Sequence, residues 1–196
     1  MKIGVFALPG AFIEHERALL SLGAEVKEIR HLSDFTEDLE GIVLPGGEST
    51  VQGKLLREGG ILQPLKKRIQ EGLPVFGTCA GMILLAKKLS NDDNVHLATM
   101  DITVKRNAYG RQLGSFEKEL AVKDVGKYPA VFIRAPFVES AGKNVEVLAE
   151  CAGKIVAVRQ GNMLATAFHP ELTDDLRIHA YFLEMIKNNT GRNRIK

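Results

Sequence analysis

An open α/β sheet, mostly parallel, with helices on both faces is the fold class this sequence predicts, and three observations predict it. Short continuous apolar runs recur through the first half, as strands buried on both faces require. Segments of helical period separate them, which gives the βαβαβ rhythm of a doubly covered sheet. Past residue 95 the rhythm changes to closely spaced strand-like segments, so an antiparallel extension of the same core is expected in the C-terminal half.

The elements follow in order along the chain. Ile3–Leu8 reads as a first, buried strand that Pro9-Gly10 ends. Residues 11–22 read as a helix with apolar positions at Ile13, Ala18, Leu19 and Leu22, and Gly23 is its stop. Glu25–Arg30 alternates and predicts a strand nearer an edge. Ile42–Leu44 predicts a central strand broken by Pro45-Gly46-Gly47. Ser49 or Thr50 can cap the next helix, and Gly59-Gly60 separates it from another beginning near Ile61. A further strand covers 74–78, followed by a helix-prone run from Met82 to Lys88. Segments 101–106, 115–123, 130–135, 145–150, 154–159 and 163–168 all predict strands, with turns at Asn107–Gly110, Gly142 and Gly153. A helix from Asp174 to Lys187 closes a single domain of residues 1–188. The polar tail 189–196 is expected to be disordered.

Composition narrows the function classes. The 196 residues suffice for one α/β domain with a sizeable core, and 45% hydrophobic with 26% charged residues is ordinary for a soluble protein. The formal charge is +2, with no long block of either sign, which gives no argument for nucleic acid or an anionic membrane. No apolar stretch approaches the about 18 residues that span a bilayer. The start of the chain reads directly as a strand and not as a secretion signal. Neither nucleotide-binding glycine motif occurs. Two cysteines, Cys79 and Cys151, form no metal-type spacing and no disulfide framework. A reduced, cytoplasmic protein without cofactor or metal is the expectation.

The chemistry concentrates in Gly77-Thr78-Cys79-Ala80-Gly81. A β-prone run leads in and a helix-prone run leads out, with glycine two residues to either side of a cysteine. This is the strand–turn–helix elbow of the Gly-x-Ser-x-Gly type with sulfur in place of oxygen. Side chains at the glycine positions would collide with neighbouring strand and helix. At a helix N-terminus a thiol, which titrates near about 8.5 when free, is shifted towards thiolate. Cys151, in a strand-like run, is expected in the core. A nucleophile needs a base, and five histidines are available. His15, His31, His96 and His179 read as surface or capping residues. His169 differs, because it follows the apolar run Leu164–Phe168 and precedes Pro170, which biases it to extended backbone. In extended chain Glu171 faces the same way and can orient the ring. Ala80 N–H, just after the nucleophile, is a candidate oxyanion donor, and the Pro45–Thr50 loop is the expected source of a second.

These motifs resemble the class I, triad-type glutamine amidotransferase family: Pro45-Gly46-Gly47, Gly77–Gly81 and Phe168-His169-Pro170-Glu171. Pro45–Thr50, Arg106-Asn107-x-x-Gly110-Arg111-Gln112, Phe132–Pro136 and Phe168–Thr173 are similar, more narrowly, to the glutaminases of pyridoxal 5'-phosphate synthases. The resemblance implies that Cys79 attacks the side-chain amide of L-glutamine, that His169 protonates the departing ammonia, and that water hydrolyses the resulting thioester. It implies oxyanion donors at Gly47 and Ala80, and glutamine held by Gly47, Glu48, Ser49, Arg106, Ile133 and Arg134. It further implies a separate barrel-shaped synthase subunit that receives the ammonia and whose docking completes the glutaminase site. The first loop departs from the usual Gly-Leu-Gln-Gly, reading Ala7-Leu8-Pro9-Gly10. A glutaminase serving another synthase, such as imidazole glycerol phosphate synthase, would share the triad. A cysteine-elbow hydrolase usually has histidine after the cysteine, where this chain has Ala80.

Overall fold

The computed structural model describes residues 1–107 and 114–193, the last four as backbone alone. The first half runs β1 (Lys2–Phe6), α1 (Phe12–Ser21), β2 (Glu25–Ile29), β3 (Gly41–Leu44), α2 (Ser49–Glu58), α3 (Leu62–Gln70), β4 (Val75–Thr78) and α4 (Ala80–Leu85). The second half runs β5 (Ala86–Leu89), β6 (Met100–Lys105), β7 (Ser115–Val122), β8 (Gly126–Ile133), β9 (Phe137–Ala141), β10 (Glu146–Cys151), β11 (Lys154–Gln160), β12 (Met163–Thr166) and α5 (Arg177–Asn193). Among the described residues, one sheet has the order β2-β1-β3-β4-β12-β11-β9-β6-β5, with β10 paired to β11.

The strands from β2 to β12 in that order are mutually parallel, and those from β12 to β6 are antiparallel. This is the expected mixed sheet, with β2 at its edge. Every residue of β3, β4 and β12 is buried, because both faces are covered. On one face Phe76 of β4 meets Phe182 of α5 at 5.6 Å between ring centroids. A Cβ at Gly77, on the opposite face, would meet Leu85 of α4. Among the described residues no helix is long and apolar enough to cross a membrane.

Several expectations are corrected. The strand read over 163–168 joins the antiparallel extension on one side only, where it pairs with β11. As β12 it inserts beside β4 in parallel, Thr166 opposite Thr78, which suits its unbroken apolar run. The helix after Cys79 ends at Leu85, and Lys87 and Lys88 lie exposed in β5. All six residues of α4 are buried, so the helix has no polar face and stops where lysines need water. β9 was not anticipated, and among the described residues β7 and β8 pair only with each other, as a separate hairpin. Ile13 is 46% exposed and does not belong to the buried face of α1. The cap of α2 is Glu48, whose carboxylate accepts the N–H groups of Thr50 and Val51, and not Ser49 or Thr50. Helix α5 starts at Arg177 and carries the backbone on to Asn193, into the tail expected to be disordered. Most of the 107–112 motif, with Gly110, Arg111 and Gln112, lies outside the described residues.

Asn162, in the turn before β12, aligns β12 with β4. Its side-chain amide donates to Ile69 O at 3.0 Å and Leu73 O at 2.7 Å, while its carbonyl takes the N–H of Val75. Asn162→Ala leaves Leu73 O unpaired and Ile69 O with the N–H of Gly72 alone, and is expected to cost ~1–3 kcal/mol. A urea midpoint lowered at constant m-value is the expected reading; an unchanged midpoint would show that the clasp contributes nothing.

Candidate active site

Three adjacent parallel strands end at the same edge of the sheet, and each delivers one part of the site. β3 leads into Pro45-Gly46-Gly47, β4 into Cys79, and β12 towards His169. The backbone N–H of Cys79 donates to Thr166 O at 2.8 Å, which ties the elbow to the strand that carries the histidine. Ligands bind at this carboxyl edge in open α/β sheets.

Cys79 has φ +48° and ψ −98°. A non-glycine residue in that region carries ~1–3 kcal/mol of strain, which the surroundings must hold. The flanking glycines are part of that hold. A Cβ at Gly77 would lie 2.6 Å from the carbonyl carbon of Gly81, and one at Gly81 would lie 2.2 Å from Leu44 O. The turn is therefore backbone pressed on backbone. The sulfur is buried, with Ile133 O 4.0 Å away.

His169 is bound at Nδ1 by Glu171 Oε1 at 2.8 Å, and Cys79 stands close enough for its charge to bear on the ring. The geometry differs from the expected extended pair. Residues 170–172 form a 3-10 turn that curls the carboxylate back onto the ring. Burial disfavours the imidazolium, but the nearness of Cys79, the hydrogen bond to Glu171 and the charges of both outweigh it and push His169 up to about 10. Glu171 has a fully buried side chain. Burial opposes its ionisation, and the neighbouring His15 and His169, with the hydrogen bond to the latter, hold its carboxyl below the ordinary range. Cys79, His169 and Glu171 are all buried at this edge.

The remaining predicted residues sit around it. Ala80 opens α4, where the first N–H groups have no partner inside the helix. Gly47 is in left-handed backbone at φ +148°. Ile133 and Arg134 follow from β8, and the backbone N–H of His169 donates to Val131 O of that strand. Arg106 lies across from Glu48, Nη2 to Oε1 at 3.0 Å, and also donates to Thr50 and pairs with Asp92. Ser49 is buried at the start of α2. Cys151 is buried, as expected.

Two residues were misread. His15 and His179 are not surface or capping residues; both are completely buried and lie behind Glu171. The signal was present, because each histidine sits on the apolar stripe of its helix: His15 with Ala18, Leu19 and Leu22, His179 with Phe182, Leu183 and Ile186.

Residues 5–188 match the SNO glutamine amidotransferase family. Among curated proteins, the pyridoxal 5'-phosphate synthase subunit PdxT of Streptococcus pneumoniae strain CGSP14 is 56% identical over 190 residues, 95% of this chain and 98% of that protein. PdxT of strain JJA is 55% identical over 193 residues, 97% of this chain and all of that protein. Among solved structures, a crystal structure of a glutamine amidotransferase superposes with a TM-score of 0.90 at 49% identity, covering 94% of this chain and 98% of its own. PurLQS from Thermotoga maritima, at 18% identity and a TM-score of 0.66 over 93% of this chain and 97% of its own, shares the fold.

Gly46 offers a probe of the geometry. A Cβ there would lie 2.3 Å from His169 Cε1 and 2.7 Å from Nδ1. Gly46→Ala should displace the ring and slow iodoacetamide alkylation of Cys79 at least tenfold (~1.4 kcal/mol) in a chain that still unfolds cooperatively. Alkylation at the wild-type rate would show that the ring does not stand against this loop.

Proposed function

The chain belongs to the SNO glutamine amidotransferase family and acts as the glutaminase subunit of a pyridoxal 5'-phosphate synthase, and we propose that Cys79, His169 and Glu171 carry its chemistry. The single observation that supports this assignment is the buried His169–Glu171 hydrogen bond beside the buried Cys79 at the rim of the parallel strands. Sulfur attacks the side-chain amide carbon of L-glutamine, and the carbonyl oxygen becomes an oxyanion. The N–H groups of Gly47 and Ala80 take that charge, each such donor being worth ~3 kcal/mol in the transition state. The carbon–nitrogen bond then breaks, His169 Nε2 supplies the proton with which ammonia leaves, and a thioester remains on Cys79. Water attacks the thioester with His169 as base; the carbon–sulfur bond breaks and L-glutamate is released.

Glu48 and Arg106 carry the two charges that complement an amino acid's ammonium and carboxylate, and with Gly47, Ser49, Ile133 and Arg134 they are the proposed glutamine-binding residues. Ammonia passes to a barrel-shaped synthase subunit in a hetero-oligomer, which builds the cofactor from a pentose phosphate and a triose phosphate. Residues 1–188 act as one glutaminase domain in the cytoplasm, without cofactor, metal, nucleic acid or membrane.

With the synthase subunit present, Cys79→Ala should abolish glutamate release and His169→Asn should be nearly as severe, since the two act as a unit. Glu171→Ala should be milder, and full activity in that variant would contradict its role. The pH profile carries a sign. Because the folded value of His169 is raised, the imidazolium persists up to about pH 10, so kcat/KM should fall only as pH passes through that region. A fall centred near the ordinary histidine value of about 6.5 would oppose the assignment.

A further inference from the structure

Two buried histidines stand behind the proposed triad, and the reaction as written leaves them idle. His15 Nδ1 lies 2.9 Å from His179 Nε2. His15 Nε2 lies 3.1 Å from Thr78 Oγ1 and 3.4 Å from Glu171 Oε2. Phe76 meets both rings edge-on, with centroids 5.8 Å apart in each case. The titratable groups facing His15 are His179, Glu171, His169 and Glu14; those facing His179 are His15 and Glu171. Burial lowers His15, against the pull of Glu171, and burial together with His15 takes His179 to about 3. Both rings are neutral.

The far end of the line fixes the protons along it. His179 Nδ1 has no hydrogen-bond partner among the described residues. A proton there would be an unsatisfied buried donor, and it would force the lone pair of His15 Nε2 against the carboxylate of Glu171. With the proton on Nε2, His179 donates to His15 Nδ1, and His15 in turn donates Nε2–H to Thr78 Oγ1 with Glu171 Oε2 close beside it at 3.4 Å. That arrangement leaves no N–H of either ring unpaired. It also meets a need at the other end. Glu171 Oε1 has His169, and Thr78 Oγ1 within 3.5 Å. Oε2 has no hydrogen bond among the described residues, and His15 Nε2 stands 3.4 Å from it.

We propose that His15 is a positioning residue of the glutaminase: its Nε2–H holds Glu171 ionised and aimed at His169, and His179 behind it fixes the tautomer that makes this possible. The inference rests on the triad assignment. An apolar residue at position 15 would take the N–H dipole away from a buried carboxylate oxygen, so Glu171 would take up a proton more readily. His169 would then lose the charge that sustains its imidazolium.

The test uses His15→Leu, His15→Gln and His179→Leu, assayed for glutamate release with the synthase subunit across pH. His15→Leu should lower kcat at least tenfold with little change in KM. It should also bring the alkaline limb down by at least one pH unit, the scale of a lost charge partner (~1–3 units). His15→Gln, whose amide nitrogen can replace the Nε2 donor, should recover most of kcat and return the limb upwards. His179→Leu should move the limb in the same direction by less. Alkylation of Cys79 against pH, read by mass spectrometry on the chain alone, should show the same displacement. An unmoved limb in His15→Leu overturns the proposal, as does equal impairment of the Leu and Gln variants without a shift, which would mean packing alone. If His15→Leu does not fold, His179→Leu decides by the same criterion. Activity surviving in Cys79→Ala would sink the triad itself, whereas an unmoved limb sinks only the role of His15.

Discussion

Glu171 is a carboxylate without access to water, and its burial constrains the elements packed around it. Removing such a group from solvent costs several kcal/mol unless donors replace the lost water. Here polar groups from three separate places in the chain surround it, two of them hydrogen-bonded to it. His169 approaches from the end of β12, Thr78 from the last residue of β4, and His15 from α1. A carboxylate that needs all three can be accommodated only where β4 and β12 lie side by side with α1 across their ends.

The same junction stores strain next to that charge. Cys79 is held in a backbone conformation costly for a residue with a side chain, between glycines whose missing Cβ atoms let α4 press on β3 and β4. The sulfur is consequently lifted off the strand end, towards the histidine and towards Ile133 O of the neighbouring hairpin. The hairpin in turn accepts the backbone N–H of His169 at Val131. At the outer side, Arg106 is shared among Glu48, Thr50 and Asp92. The charges proposed to meet a zwitterionic substrate therefore neutralise one another in the free chain.

Much of this was legible in the sequence, for reasons that can be named. The elbow was readable because its glycines answer a local steric demand, and His169 because an apolar strand and a proline set its direction. The strands β1, β3 and β4 announced themselves as unbroken apolar runs. β12 carried the same signature, but its neighbours along the chain are antiparallel, and insertion beside β4 is a long-range event that no local pattern encodes. Lys87 and Lys88 continued a helical period, yet α4 is apolar all round and could not carry them. Glu171 was foreseen as the partner of His169, but through an extended segment, where the structure uses a 3-10 turn. His15 and His179 were missed because a histidine was weighed by its polar neighbours. Its place in the stripe with Ala18 and Leu19, or with Phe182 and Leu183, was the stronger signal.

The account turns on a histidine kept charged at neutral pH by a buried line of hydrogen bonds. The most direct measurement is nitrogen-15 NMR of the imidazole rings in the wild-type chain, followed across pH. The account predicts that both nitrogens of His169 stay in the protonated range from neutrality to about pH 10, while His15 and His179 remain neutral throughout. A His169 signal that titrates near the ordinary value of about 6.5 would contradict it.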